Sequence, residues 1–311
     1  MKVLFIVDPQ NDFVDPAGSL YVKGAEAAID NICKLLKERD FDRVIISQDS
    51  HQYYHIGHSE FWKEKPEPGT VIKISEISRN EFVPALCDYE NSKDVIRRIY
   101  ERNSRDIRIW PHHCIEGSWG YSFPDRLVQA LNDWSASHLR PYEVYQKGKN
   151  PFCESFSLLD EYTPDFNGTT KFSICGFCKD ICVYETLKAI IDADVLPRYL
   201  EVVELIEECS VAFGENSEEL NNRFKELFEK LSKRWSDSKT CDTTKESYRR
   251  RPVEELPVAD APLADAEERD HVEMGEEAPD GEVVFDQPNM DEAPAEEMSW
   301  PADEQDFWGD N

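Results

Sequence analysis

Short apolar runs, each closed by a polar break or followed by apolar residues at helical spacing, organise the first 210 residues. Val3 to Val7 is continuous and rich in β-branched residues, which predicts a buried strand ending at Asp8. Pro9-Gln10-Asn11-Asp12 then breaks regular structure. Gly24 to Arg39 predicts an amphipathic helix with Ala28, Ile29, Ile32, Leu35 and Leu36 on one side. Arg43 to Ser47 predicts a second strand, closed by Gln48-Asp49. Glu143-Val144-Tyr145, Lys171 to Cys175 and Glu201 to Leu205 predict three more. The fourth leads into a helix bearing Val183, Thr186, Leu187, Ile190 and Ile191. The fifth leads into a helix over 216–231, with Leu220, Phe224, Leu227 and Phe228 as its apolar face. Such alternation predicts a doubly wound, Rossmann-like α/β domain: a mainly parallel sheet with helices on both faces, over residues 1–235. An excursion from Trp62 to Ile109, with a helical piece at 95–102, interrupts it as a lid, an extra subdomain or a partly disordered insertion.

Charge separates a tail from this domain. Of the net −29, −20 falls on residues 252–311, which hold 21 acidic residues and one basic, Arg269. The region 236–311 is rich in Pro, Ala, Asp and Glu and lacks periodicity, so a disordered acidic tail is expected. Trp300, Phe307 and Trp308 within it suit either a short motif for an unknown protein partner or a solubilising tail. No basic stripe offsets phosphate repulsion, so nucleic acid is not an expected partner. Nine cysteines without framework spacing suit a reducing compartment. No apolar run approaches membrane-spanning length, and the N-terminal run is too short for a signal-peptide core. The expectation is an intracellular, cytoplasmic protein without a membrane partner, a nuclear location staying open.

Chemistry concentrates at the strand ends, where parallel sheets gather their ligand sites. Gly176 to Ile190 reads GFCKDICVYETLKAI. Gly176 allows a sharp turn, Asp180 suits a helix cap, and Cys182 falls in the first helical turn. Unpaired N–H groups and the helix dipole favour an anion there, so the thiol is expected to ionise and to act as a nucleophile. A buried, inert cysteine fits the same pattern. Asp8 and Asp49 end adjacent predicted strands. Asp49-Ser50-His51 sets a carboxylate and an imidazole on one side of an extended chain, and His113 follows in Trp110-Pro111-His112-His113-Cys114. One aspartate and two histidines suit zinc, iron or manganese. Alone, the pair also fits an aspartate capping a turn beside a surface histidine. His55 and His58 are further candidates.

Together these blocks are more specific. Asp8-Pro-Gln-Asn-Asp-Phe13, Asp49-x-His51, Trp110-Pro-x-His113-Cys114, Lys147-Gly148 and Gly176-x-x-x-Asp180-x-Cys182 occur in fixed order. The set resembles the nicotinamidase branch of the isochorismatase-like cysteine hydrolases, over roughly residues 1 to 210. The resemblance implies an isochorismatase-like fold, with Cys182 as nucleophile, Asp8 as base and Lys147 as an electrostatic partner. It implies Asp49, His51 and His113 as ligands of one divalent metal ion, zinc first, with His58 as a fourth ligand or an outer neighbour. Phe13 and Trp110 would flank the substrate ring, though both also suit a plain core. The N–H groups of Cys178 and Cys182 would form an oxyanion hole, with a cis peptide before Cys178.

The implied activity is hydrolysis of nicotinamide to nicotinate and ammonia through a cysteine thioester, in NAD salvage; relatives often associate as homo-oligomers. Alternatives are another carboxamide or ureido hydrolase of the same group, or an interaction protein acting through the acidic tail. Two residues depart from the family pattern: Cys178 stands where a small residue is usual, and Lys179 where a small or hydroxyl residue is commoner. The Cys175-x-x-Cys178 spacing also matches redox dithiols, but a core-facing Cys175 makes the pair incidental.

Overall fold

The computed structural model describes residues 1–85, 97, 106–197, 200–214 and 218–241, by backbone alone from 235. The chain runs β1 (Lys2–Val7), α1 (Asn11–Val14), α2 (Ala25–Glu38), β2 (Arg43–Asp49), β3 (Val71–Ile72), α3 (Ile74–Ser78), β4 (Ile107–Arg108) and α4 (Asp125–His138). It continues through β5 (Glu143–Lys147), β6 (Lys171–Gly176), α5 (Tyr184–Asp192), β7 (Val202–Ser210) and α6 (Glu218–Cys241). Five strands form one parallel sheet in the order β5-β2-β1-β6-β7. The expected doubly wound sheet is therefore present.

Alternation along β1 explains the two layers. Successive side chains of a strand point to opposite faces. Leu4 and Ile6 pack with α2 and α4 through Ala28, Ile29, Leu127, Leu131 and Trp134. Val3, Phe5 and Val7 pack on the other face with α5 and α6 through Leu187, Ile190, Leu220 and Phe224. All five β1 residues from Val3 to Val7 are fully buried, each contributing about 1.5–3 kcal/mol of transfer free energy.

The chain departs from expectation at two places, helix α4 and the length of the last helix. Helix α4 lies where no element was anticipated, although Leu127, Ala130, Leu131 and Trp134 make a buried stripe at helical spacing. Within the excursion after β2, β3 and β4 pair antiparallel, and Ile72, Ile77, Ile107 and Ile109 pack with Ile56, Phe61 and Trp62. The helical piece expected at 95–102 lies outside the described residues except at Arg97. The last helix is longer than its apolar pattern, reaching Cys241. The acidic tail beyond it lies outside the described residues. Among the described residues, no helix is long and apolar enough to cross a membrane.

Candidate active site

Sheet order creates the site. From β1 the chain goes to β2 on one side, while β6 flanks β1 on the other, so a crevice opens at the C-terminal edge between β1 and β6. Register then aligns the chemistry: Asp49 is opposite Lys147, and Val7 opposite Gly176. Asp8 leaves β1 with φ +46°, a left-handed conformation that aspartate tolerates better than most residues. Its Oδ1 accepts a hydrogen bond from Ser47 Oγ at 2.7 Å. Gln10 ties the first two strand ends together: its amide accepts from Asp49 N–H and donates to Asp49 C=O, both at 2.7 Å.

Lys147 is the hub. Its ammonium lies 2.8 Å from Asp49 Oδ1, 3.0 Å from Asp8 Oδ2, 3.1 Å from the Ser155 carbonyl and 3.8 Å from Cys182 Sγ. It is completely buried. Burial opposes its charge, yet Asp49 and Asp8 hold its pKa well above the ordinary lysine value. The Asp8 carboxyl moves up instead, because burial outweighs the pull of Lys147 and Asp49 adds repulsion. Burial also pushes the Cys182 thiol well up, against the pull of Lys147 and with help from Asp8 and Asp49. That corrects the expectation of an ionised thiol. The helix-end argument omits two buried carboxylates, and a thiolate beside them needs a base to form.

The turn carrying Cys182 is built from backbone constraints. Gly176 has φ +126°, and a Cβ there would stand 2.1 Å from the Val7 carbonyl oxygen, so β1 and β6 approach too closely for any other residue. The Phe177–Cys178 peptide is cis, at the position the resemblance implied. The Cys178 carbonyl accepts N–H groups from Ile181 and Val183 at 3.2 and 3.0 Å, closing a wide π-type turn over Lys179–Val183 that leads into α5. Asp180 does not cap this helix. It lies inside the turn, and its carboxylate accepts from the N–H groups of Phe213 and Gly214 at 2.8 and 3.0 Å. The Cys182 turn is thereby tied to the loop after β7.

A second cluster adjoins the thiol. Ligand atoms of Asp49, His51 and His113 lie within 4.8 Å of one another. His51 Nε2 and His113 Nε2 face Asp49 Oδ2 at 3.0 and 3.4 Å. Each ring turns its Nδ1 to a backbone carbonyl, Gly148 at 3.1 Å for His51 and Pro111 at 2.9 Å for His113. A carbonyl only accepts, so Nδ1 carries a proton in both rings, and Nε2 is the nitrogen turned towards Asp49 and available to an ion once it carries no proton. Without an ion His51 holds a second proton on Nε2: burial disfavours its charge, but Asp49 overcomes this and raises its pKa to about 9. His58 repeats the pattern, with Nδ1 donating to the Tyr53 carbonyl at 3.3 Å and Nε2 buried without a hydrogen-bond partner. Its ring centroid is 5.6 Å from that of His51 and 5.7 Å from that of His113. His55 differs, since Nε2 donates to the Cys153 carbonyl and Nδ1 accepts from Gly57 N–H. His112 stacks on Tyr53, packs against His58 with ring centroids 4.7 Å apart and turns its Nε2 to Glu60. Two oriented imidazoles, one carboxylate and an orphaned buried nitrogen fit a divalent ion of the zinc, iron or manganese class.

Phe13 and Trp110 line the pocket that holds Cys178, Cys182, Asp49 and His113. Their rings meet the His113 ring edge-on at 5.9 and 6.4 Å. Sequence reasoning missed Leu20, Glu154, Phe156, Ile181 and Phe213, which share that lining. Glu154 and Phe156 sit in the loop after Lys147-Gly148, and Phe213 in the loop after β7. Their place just beyond strand ends was the available signal.

No family model matches the chain. The nicotinamidase of Saccharomyces cerevisiae is 29% identical over 133 residues, covering 42% of this chain and 52% of that protein, about half its length. The nicotinamidase of Schizosaccharomyces pombe is 28% identical over 197 residues, covering 59% and 73%. The solved structure of the yeast nicotinamidase Pnc1p superposes with a TM-score of 0.53 at 22% identity, over 74% of this chain and 97% of the other. In fold and in sequence, the chain is similar to the nicotinamidases of the isochorismatase-like group.

Proposed function

We propose that the chain hydrolyses nicotinamide to nicotinate and ammonia through a thioester on Cys182. The observation that carries this is the continuous chain from Asp49 through Lys147 to Asp8 and Cys182, which joins a metal-binding cluster to a nucleophile within one aromatic-lined pocket. Similarity to the two yeast nicotinamidases supports the choice of substrate.

The resting thiol is protonated, so Asp8, its carboxyl made more basic by burial, takes the proton as Sγ attacks the carboxamide carbon. The N–H groups of Cys178 and Cys182 receive the oxyanion. Asp8 returns the proton to the departing ammonia. A water molecule, losing a proton to Asp8, then cleaves the thioester to the acid and restores the thiol. Lys147 keeps Asp8 and Asp49 compatible at close range and limits how far the Asp8 pKa climbs. Phe13 and Trp110 hold the ring, converting binding into orientation. Asp49, His51 and His113 would hold the ion, zinc being the first choice, with the unpartnered Nε2 of His58 beside them as an outer neighbour. When bound, the ion supplies a Lewis acid that fixes the ring nitrogen.

Ammonia release from nicotinamide tests the proposal. The parent chain should turn over, while Cys182→Ala and metal-stripped parent should not. Turnover of a ureido substrate with none of nicotinamide would instead favour another hydrolase of the same group.

A further inference from the structure

Phe213 takes no part in the chemistry of Cys182, Asp8 and Lys147, yet it lines the pocket that holds Cys178, Cys182, Phe13 and Trp110. It comes from the loop after β7, beyond every motif that carries the resemblance. Its ring meets that of Trp110 edge-on, with centroids 6.2 Å apart and planes at 86°. Phe13 and Trp110 are only 4% and 7% exposed, whereas Phe213 is half-buried. Phe213 therefore stands at the rim, between the pocket and solvent.

The rim is fixed from the Cys182 turn. Lys179 N–H donates to the Val211 carbonyl at 2.8 Å, and the Asp180 carboxylate accepts from the N–H groups of Phe213 and Gly214 at 2.8 and 3.0 Å. Bonds to a carboxylate are stronger than neutral ones, and supporting bonds of this kind keep a binding wall in place. A pocket closed by apolar rings held in this way discriminates by size, one added carbon changing kcat/KM by about 10–200-fold. We propose that Phe213 is a specificity-determining residue for substituents on the substrate ring. With Trp110 it closes the outer side of the pocket, admitting an unsubstituted six-membered aromatic carboxamide and excluding one with an alkyl group on the ring edge remote from the carboxamide. Asp180 is the positioning residue that sets where Phe213 stands. This rests on the reading of the chain as an aromatic carboxamide hydrolase with Cys182 as nucleophile.

The test compares nicotinamide with 5-methylnicotinamide, whose methyl group sits on the one ring carbon bonded to neither the nitrogen nor the carboxamide-bearing carbon. Ammonia release gives kcat and KM for the full-length parent, Phe213→Ala, Phe213→Trp, Asp180→Ala and the Phe213→Ala/Asp180→Ala double variant. Phe213→Ala is expected to raise kcat/KM for the methylated amide relative to nicotinamide by at least about tenfold. It should also raise KM for nicotinamide, because a contact with the ring is lost. Phe213→Trp should move the ratio the other way. Asp180→Ala should shift the ratio in the same direction as Phe213→Ala and add nothing to it in the double variant. An unchanged ratio in both Phe213 variants would overturn the proposal. So would an equal fall for the two amides, which is what simple loss of fold gives. Full additivity in the double variant would overturn the role of Asp180. A parent that turns over nicotinamide with unaltered selectivity in every variant would overturn this inference alone. A parent that releases ammonia from neither amide would overturn the carboxamide hydrolase reading and this role together.

Discussion

Lys147→Met removes the single cation that stands between two buried carboxylates. The ammonium is within 2.8 Å of Asp49 and 3.0 Å of Asp8, and none of the three side chains is more than 5% exposed. Deleting one member of such a buried set costs about 3–5 kcal/mol, because the remaining charges lose their partner while staying out of water. Protonation of Asp8 relieves part of the penalty, since its carboxyl is already raised by burial and loses the opposing pull of Lys147. Urea unfolding of the metal-free protein at pH 7 measures the difference. With an m-value of about 2–3 kcal/mol/M, the midpoint should fall by about 1–2 M at unchanged slope. Adding Asp8→Asn should restore part of the loss, giving a coupling of about 1–3 kcal/mol in the double-mutant cycle. A midpoint within about 0.3 M of parent, or strict additivity with Asp8→Asn, would refute the picture of Lys147 as the electrostatic hub.

Three further outcomes follow from the geometry. The metal-free His51 has a pKa of about 9, its second proton on Nε2 facing Asp49, so an ion must displace that proton. Apparent metal affinity should therefore rise about tenfold per pH unit up to about pH 9 and then level, and isothermal titration showing a flat profile from pH 6 to 8 would contradict this. Gly176→Ala sets a Cβ 2.1 Å from the Val7 carbonyl at φ +126°; with a cost of about 2–4 kcal/mol, calorimetry should show melting lowered by about 5–15 °C. Removal of residues 252–311, the acidic tail, should leave kcat/KM for nicotinamide unchanged, and a large fall would assign the tail a catalytic part.

What could be read from sequence depended on whether the determining contact was local. The inner strands β1, β2 and β6 are legible because burial on both faces makes their core runs apolar, whereas the edge strands β5 and β7 are half exposed and show only short apolar pieces. The closing residues Asp8 and Asp49 point to a site by the general rule for parallel sheets, and Lys147 joins them only through the family resemblance. Helix α4 carries a comparable apolar stripe, Leu127, Ala130, Leu131 and Trp134, and was legible by the same helical spacing. Asp180 was misread because its partners, Phe213 and Gly214, are more than thirty residues away. The Cys182 thiol was expected to ionise on a local argument about helix ends, whereas burial beside Asp8 and Asp49 decides its state. Glu154 showed no motif; only the fold reveals a carboxylate oxygen without a partner.

The central claim is that Cys182 carries the acyl group. Rapid acid quench of the metal-loaded chain during turnover of nicotinamide, followed by peptide mass spectrometry, tests it directly. A nicotinoyl thioester is expected on the peptide containing Cys182, absent in Cys182→Ser and decaying as nicotinate appears. Steady release of ammonia with no adduct on that peptide, or undiminished turnover by Cys182→Ala, would contradict it.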